Sequence, residues 1–162
     1  MGKIKVFCFG FGQVAKYFVK KLIKENQAIE LSVTSRKETQ KLIFESLEIN
    51  SYELNEKKID KNMNSKIQDA DFVLVSIPPI NEEDIVIKNF KEIIKKTKAK
   101  WITYLSATSV YGNHDGEWVD EESETKPTST SGIKRLRVEN QWLKFSIENN
   151  LPLQIFRLSG IY

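Results

Sequence analysis

The chain has 162 residues, 40% hydrophobic and 29% charged, and its 25 basic and 22 acidic residues leave a net charge of +3. That length allows one domain with a sizeable core, and so mild a positive balance gives no reason to expect nucleic acid or a membrane surface as partner. No apolar run approaches the roughly 20 residues of a membrane-spanning helix. The short strand at the start, met at once by a glycine turn, does not read as a secretion signal. The one cysteine, Cys8, cannot form an internal disulfide and reads as a small buried core residue. No clustered Cys/His metal site is present in the pattern, and a reducing, cytoplasmic setting is expected.

Strand and helix signals alternate along the chain. Lys3 to Phe9 is rich in valine, isoleucine and phenylalanine and ends at Gly10, which predicts a buried strand. Gln13 to Glu25 is expected to be a helix, with Val14, Phe18 and Leu22 on one face and Ala15 and Val19 widening it. Ile29 to Thr34 reads as a second strand, Lys37 to Phe44 as a short helix, and Leu47 to Leu54 as a short third strand. Lys57 to Lys66 reads as a solvated loop or helix surface. Asp71 to Ile77 predicts a strand stopped by Pro78 and Pro79. The next helix is expected to be capped by Asn81, with Glu82, Glu83 and Asp84 in its first turn and Lys95, Lys96 and Lys98 at its far end. Trp101 to Leu105 reads as a strand and Gly112 to Pro127 as a polar loop. Gly132 to Asn149 reads as a helix and Leu153 to Leu158 as the last strand. This alternation predicts an α/β fold of the Rossmann type: a doubly wound parallel sheet of about six strands in three layers, spanning residues 1–162. The chain stops just after a strand, where a substrate-binding portion would usually begin. That portion is expected to be absent, in a fragment or in a naturally minimal protein.

Gly10-Phe11-Gly12-Gln13-Val14-Ala15 is a G-x-G-x-x-A turn between a strand and an amphipathic helix, the context that gives the motif meaning. Gly10 permits the tight turn. Gly12 lets a pyrophosphate approach the backbone, and Ala15 allows close helix–strand packing. The helix N-terminus offers N–H groups and a positive dipole end to an anion. The alternative is a glycine turn with no ligand. An NAD-preferring site usually places an acid at the end of the second strand. Here Thr34-Ser35-Arg36 stands there, and no acid appears before Glu38. Arg36 can pair with a 2′-phosphate and Ser35 can hydrogen-bond it, so NADP is expected over NAD. Otherwise Arg36 is a plain surface arginine. Ser76-Ile77-Pro78-Pro79 is expected to border the adenine and ribose, unless the prolines are only a strand stop.

Leu105-Ser106-Ala107-Thr108-Ser109-Val110-Tyr111-Gly112 resembles the S-S-x-x-V-Y-G stretch of the extended short-chain dehydrogenase/reductase superfamily, which includes the NAD-dependent epimerase/dehydratases. The loop Gly116 to Glu121 with Pro127, and the ending Arg157 to Tyr162, resemble it too. The glycine pattern is closer to an atypical branch. The resemblance implies a reductase, epimerase or dehydratase of a nucleotide sugar or similar small molecule. In such enzymes a Tyr-x-x-x-Lys pair does the acid–base work, aided by a Ser or Thr.

This chain departs from that pattern. Alignment on Gly132, Leu136 and Glu139 places Ser131 at the tyrosine and Arg135 at the lysine, and Ala107 falls at the Ser/Thr. Ala107 has no proton to give, and Ser131 is a weak acid that needs its own base. Arg135 can hold a ribose hydroxyl but will not shuttle protons. Thr108 or Ser109 can stand in after a small register shift, and Tyr111 or His114 can supply an acid by another geometry. The plainer expectation has Tyr111 packed under the loop, Trp118 anchoring it and His114 at the surface. Two functions compete: a member of this superfamily with an altered or absent catalytic apparatus, and a non-enzymatic dinucleotide sensor. The expected partners are a dinucleotide and an unidentified small substrate. A homodimer is possible by analogy with relatives. The lysine-rich stretch Lys95 to Lys100 motivates a third reading, an RNA- or protein-binding domain, against the plainer one of a solvated helix end.

Overall fold

The computed structural model describes residues 2–25, 28–55, 58–80 and 83–160. Its centre is strand β1 (Ile4–Phe9), whose Val6, Phe7, Cys8 and Phe9 are all buried, as a strand covered on both faces demands. Helix α1 (Gln13–Lys24) follows, then β2 (Ile29–Ser35), β3 (Gln40–Phe44) and β4 (Leu47–Glu53). A single-turn helix at Lys61–Met63 leads into the short helix α2 (Asn64–Gln68). Strand β5 (Phe72–Val75), helix α3 (Ile85–Ile94) and strand β6 (Trp101–Ala107) come next. After a tight turn at Thr108–Val110 and a long loop, helix α4 (Thr130–Asn149) and strand β7 (Leu153–Leu158) complete the order.

The sheet has seven strands in the order β3-β4-β2-β1-β5-β6-β7, one more than expected. All neighbours are parallel except β3, which runs antiparallel to β4. The extra strand is the segment expected to be a short helix. Leu42 and Phe44 are half-buried while Lys41 and Ile43 are exposed, so the working period is two. Glu45 and Ser46, at φ 47° and 69°, close a two-residue hairpin. The sequence hides that turn because it lacks the usual glycine or asparagine.

Two cores flank the sheet. On one face α1 packs Ala15 and Val19 against Val6, Cys8, Leu31 and Val33. On the other, α2, α3 and α4 cover Phe7, Phe9, Val73, Val75, Ile102 and Tyr104. Cys8 lies in the first of these cores, and burial pushes its thiol up to about 12, so it stays protonated at neutral pH.

Helix caps correct the expected boundaries. Asn81 and Glu82 lie outside the described residues. Asp84 caps α3, its carboxylate accepting from the Val86 and Ile87 amides at 2.9 and 2.8 Å. Glu83 and Asp84 therefore precede the helix rather than fill its first turn. Ser129 caps α4 by accepting from the Gly132 amide, which starts that helix two residues earlier than expected. Gly132 is where α4 meets the turn after β6: a Cβ there would stand 2.4 Å from the Ser109 carbonyl oxygen.

Candidate functional site

A cleft of about 1030 Å³ opens at the carboxyl ends of β1, β2, β4 and β5. The strand order changes direction between β1 and β5, because the chain first builds β2 to β4 on one side and then crosses to the other. Gly10 closes β1 at φ 86°, and a Cβ there would stand 2.8 Å from Ser76 Oγ at the end of β5. Only glycine meets both demands at low cost. The Gly10 amide donates to Thr34 Oγ1 at 2.8 Å, and the Ser76 amide donates to the Phe9 carbonyl at 2.9 Å. The turn is thus tied to β2 and β5 at once.

Gly12 stands at the N-cap of α1, and no side chain caps that helix. A Cβ built on Gly12 has nothing within 4 Å. The first-turn amides and the positive end of the helix therefore look into open space beside the cleft.

The second wall comes from β2 and β4. Thr34 is buried beneath it. Ser35 accepts at Oγ from the Lys37 amide at 3.2 Å and from the Ser51 hydroxyl at 3.2 Å, so much of its capacity is spent locally. Arg36 is exposed at the rim and makes no hydrogen bond or ion pair among the described residues. Glu53, at the end of β4, pairs in register with Ser35. Its carboxylate accepts from Asn55 Nδ2 at 2.9 Å and meets Lys58 Nζ at 2.7 Å. The Lys58 ammonium holds that carboxyl below the usual range.

Of the residues expected at a cofactor, Gly10, Phe11, Gly12, Ser35, Arg36, Ile77 and Pro78 line the cleft. Gln13 and Val14 open α1 next to it, and Pro79 stands outside the lining. Glu53, Leu54, Asn55 and Lys58 line it without having been expected. Their signal was available: a third parallel strand beside β2 must also end at the cleft. Phe11 is braced from outside by Phe44 of the hairpin, ring centroids 5.1 Å apart.

Thr108, Ser131 and Arg135 are not among the lining residues. Thr108 and Ser131 are exposed, while Arg135 Nη1 donates to the Leu105 carbonyl at 3.1 Å. Behind them lies a buried polar layer. Arg157 of β7 grips Glu139 of α4 with bonds of 3.2 and 2.9 Å, and its guanidinium lies 4.7 Å from the Tyr111 ring centroid. Glu139 and Tyr111 are buried, the latter under the loop as expected. Tyr104 is buried with an unpartnered hydroxyl, and burial pushes its pKa well up, with Arg135 opposing. His114 Nε2 lies 3.0 Å from the Glu124 carbonyl and belongs to the loop. Trp118 is fully exposed, so it does not anchor that loop. The Gly112–Lys126 bridge, the Lys126 amide on Tyr111 and the Asp120–Ser123 turn do so instead.

No protein-family model matches the chain, and no curated protein matches it by sequence. Solved structures match over nearly all of it. A conserved protein of unknown function from Silicibacter pomeroyi is 27% identical, with a TM-score of 0.75 over 97% of this chain and 53% of that one. The UDP-glucuronic acid 4-epimerase of Bacillus cereus, solved in complex with NAD, is 19% identical, with a TM-score of 0.77 over 98% of this chain and 57% of its own. The UDP-N-acetylglucosamine 4-epimerase of Bacillus cereus is 15% identical, with a TM-score of 0.75 over 99% and 55%. The chain has a Rossmann fold. It spans about half the length of these structures. In a Rossmann sheet the ligand crevice lies outside the strand ends where the order reverses, which is where the cleft is found. Among the described residues, no helix is long and apolar enough to cross a membrane.

Proposed function

We propose that the cleft binds a nicotinamide dinucleotide, with its pyrophosphate at the N-terminus of α1. The observation that carries this reading is the uncapped helix start behind Gly12, with nothing within 4 Å of where a side chain would be. An anion there meets backbone N–H groups and a favourable dipole without displacing any side chain. The likeness to epimerase structures solved with NAD supports a dinucleotide of this kind. NADP is preferred over NAD: Arg36 stands at the rim of the cleft with no partner among the described residues, and the ribose end is where a 2′-phosphate would arrive. Ser35 contributes less than Arg36, since its hydroxyl already serves Lys37 and Ser51. Calorimetric titration with NADPH and NADH tests both points. Tighter NADH binding that is unchanged in Arg36→Ala removes the NADP preference, and no binding of either removes the reading.

The activity that accompanies binding is a weak or altered nucleotide-sugar epimerase, dehydratase or reductase chemistry, or none. The second alternative, a dinucleotide-responsive binding module, is favoured by one observation: Arg135, at the lysine position, is engaged by the Leu105 carbonyl, and Ser131 replaces the tyrosine. Incubation with NADPH and a panel of nucleotide sugars, followed by separation of the products, decides between them. Turnover that survives in Ser131→Ala and Thr108→Ala excludes both hydroxyls as the acid.

A further inference from the structure

The rim of the cleft beside β2 is stitched together from separate stretches of chain. The Leu54 amide donates to the Ser35 carbonyl at 2.8 Å, and the Glu53 amide donates to Thr39 Oγ1 at 3.0 Å. The Thr39 hydroxyl donates to the Asp60 carboxylate at 2.6 Å, and the Asp60 amide donates to the Glu53 carbonyl at 3.0 Å. The turn that starts at Arg36, the end of β4 and the stretch 58–60 therefore hold one another in place. Arg36 and Lys58 both line the cleft from this rim.

A lysine on the surface ranges widely on its flexible stem. Lys58 is held by a carboxylate instead. Its Nζ lies 2.7 Å from Glu53 Oε2, and its side chain is 64% exposed while that of Glu53 is only 10% exposed. Glu53, and behind it Glu38 and Asp60, keep the Lys58 pKa above the ordinary lysine value, so the ammonium is charged at neutral pH. An ammonium has three N–H donors. Glu53 needs only one of them, because Asn55 Nδ2 already serves its other oxygen at 2.9 Å. Lys58 is thus a fixed cation with donors to spare at the mouth of the cleft.

A phosphate monoester brings about 1.5 to 2 negative charges and three acceptor oxygens. The Arg36 guanidinium supplies one positive charge and a fork that spans two oxygens. Ser35 adds little, since its hydroxyl is engaged by Lys37 and Ser51. A second cation is needed to balance the group, and Lys58 is on the same rim. The usual rule puts discrimination between the two dinucleotides at the end of the second strand. Here the strand beside it contributes as well.

We propose that Lys58, from the loop after β4, is a specificity-determining residue that takes the 2′-phosphate of NADP(H) together with Arg36, and that Glu53 holds it in position. The inference rests on the dinucleotide reading of the cleft and adds a residue which that reading does not use. The Glu53 carboxylate is also a like charge beside the phosphate. The two members of the pair therefore pull specificity in opposite directions, which a merely structural ion pair would not do.

Calorimetric titration with NADPH and NADH, repeated with adenosine 2′,5′-bisphosphate and adenosine 5′-monophosphate, tests it on the parent and three variants. Lys58→Met is expected to lower the NADPH-to-NADH affinity ratio about fivefold, the scale of an exposed ion pair. The bisphosphate-to-monophosphate ratio falls equally, because the effect lies at the adenosine end. Lys58→Arg keeps the charge and stays within about twofold of the parent. Glu53→Gln removes the like charge, keeps an acceptor for Asn55 and raises the ratio about threefold. A ratio unchanged in Lys58→Met, with both dinucleotides still bound, overturns the inference and leaves the dinucleotide reading intact. A ratio that falls in Glu53→Gln as it does in Lys58→Met also overturns it, reducing the pair to a strut of the cleft wall. A parent that binds neither dinucleotide overturns both.

Discussion

The β1–β2–β5 end of the molecule and the β6–α4–β7 end are built on opposite uses of polar groups. At the first, backbone amides are left open and side chains are absent: Gly10 has Ser76 too close for a Cβ, and Gly12 has nothing within 4 Å of one. At the second, the polar side chains are turned on each other. Arg157 grips Glu139 and Arg135 is engaged by the Leu105 carbonyl, although the Tyr104 hydroxyl between them is left unpartnered. The proposed ligand site uses the first end alone, since Thr108, Ser131 and Arg135 do not line the cleft. A backbone-built anion site survives wide sequence change because it needs only small residues and a helix start. An acid–base apparatus depends on particular side chains, so a few substitutions remove it.

The largest effect that would sharpen this contrast lies at the β6–α4–β7 end. Arg157→Leu leaves the Glu139 carboxylate, 1% exposed, without its partner. A loss of about 3–5 kcal/mol is expected in urea unfolding. A change under about 1 kcal/mol would show the pair to be incidental. At the other end, Gly12→Glu places a carboxylate where the proposed pyrophosphate belongs. Because that space is empty, stability should change by no more than about 1 kcal/mol, the usual cost of glycine replacement being small or favourable. NADPH affinity should fall more than tenfold by calorimetry, and an undiminished affinity would break the comparison.

Smaller effects refine each half. Arg36→Ala is expected to lower the NADPH-to-NADH affinity ratio about tenfold, the equivalent of ~1.4 kcal/mol. Asp84→Asn keeps the helix-cap acceptor but removes a buried charge. Burial raises the Asp84 pKa in the folded protein, outweighing its bonds to the Ile87 and Val86 amides. The parent is therefore stabilised by protonation at low pH and loses that stability as pH rises through the folded pKa. The variant should be the more stable of the two at pH 7 by about 1 kcal/mol or less, with the advantage gone below pH ~4, the ordinary aspartate range. Thermal melts at both pH values check it, and an advantage that grew toward low pH would contradict the sign. Trp118→Ala should shift stability by under about 0.5 kcal/mol, because the ring touches nothing it could lose. A larger loss would restore it as a loop anchor.

The two halves also differ in how plainly the sequence announced them. Local patterns sufficed for β1, the Gly10–Ala15 turn and α1, since a central strand is apolar throughout and a helix shows its period. The same is true of the placement of Arg36 and Ile77 at the cleft, which follows once strands are parallel. The strand at Gln40–Phe44 was hidden, because its hairpin turn forces Glu45 and Ser46 to positive φ, a choice made by pairing with β4 rather than by local preference. Glu53 and Lys58 reached the cleft only through the register of β4 on β2. Asp84 became a cap, and Trp118 an exposed ring, through contacts that no residue type declares.

From sequence alone, then, came the α/β alternation, the buried central strand and the glycine turn that opens α1, all set by side-chain period and by what glycine permits. Tertiary structure decided the seventh strand, the second wall of the cleft, and the fate of Arg135 and Arg157. Each of those rests on which distant residues meet. Long-range contact is settled by packing of the whole sheet, and a local stretch of sequence carries no record of it.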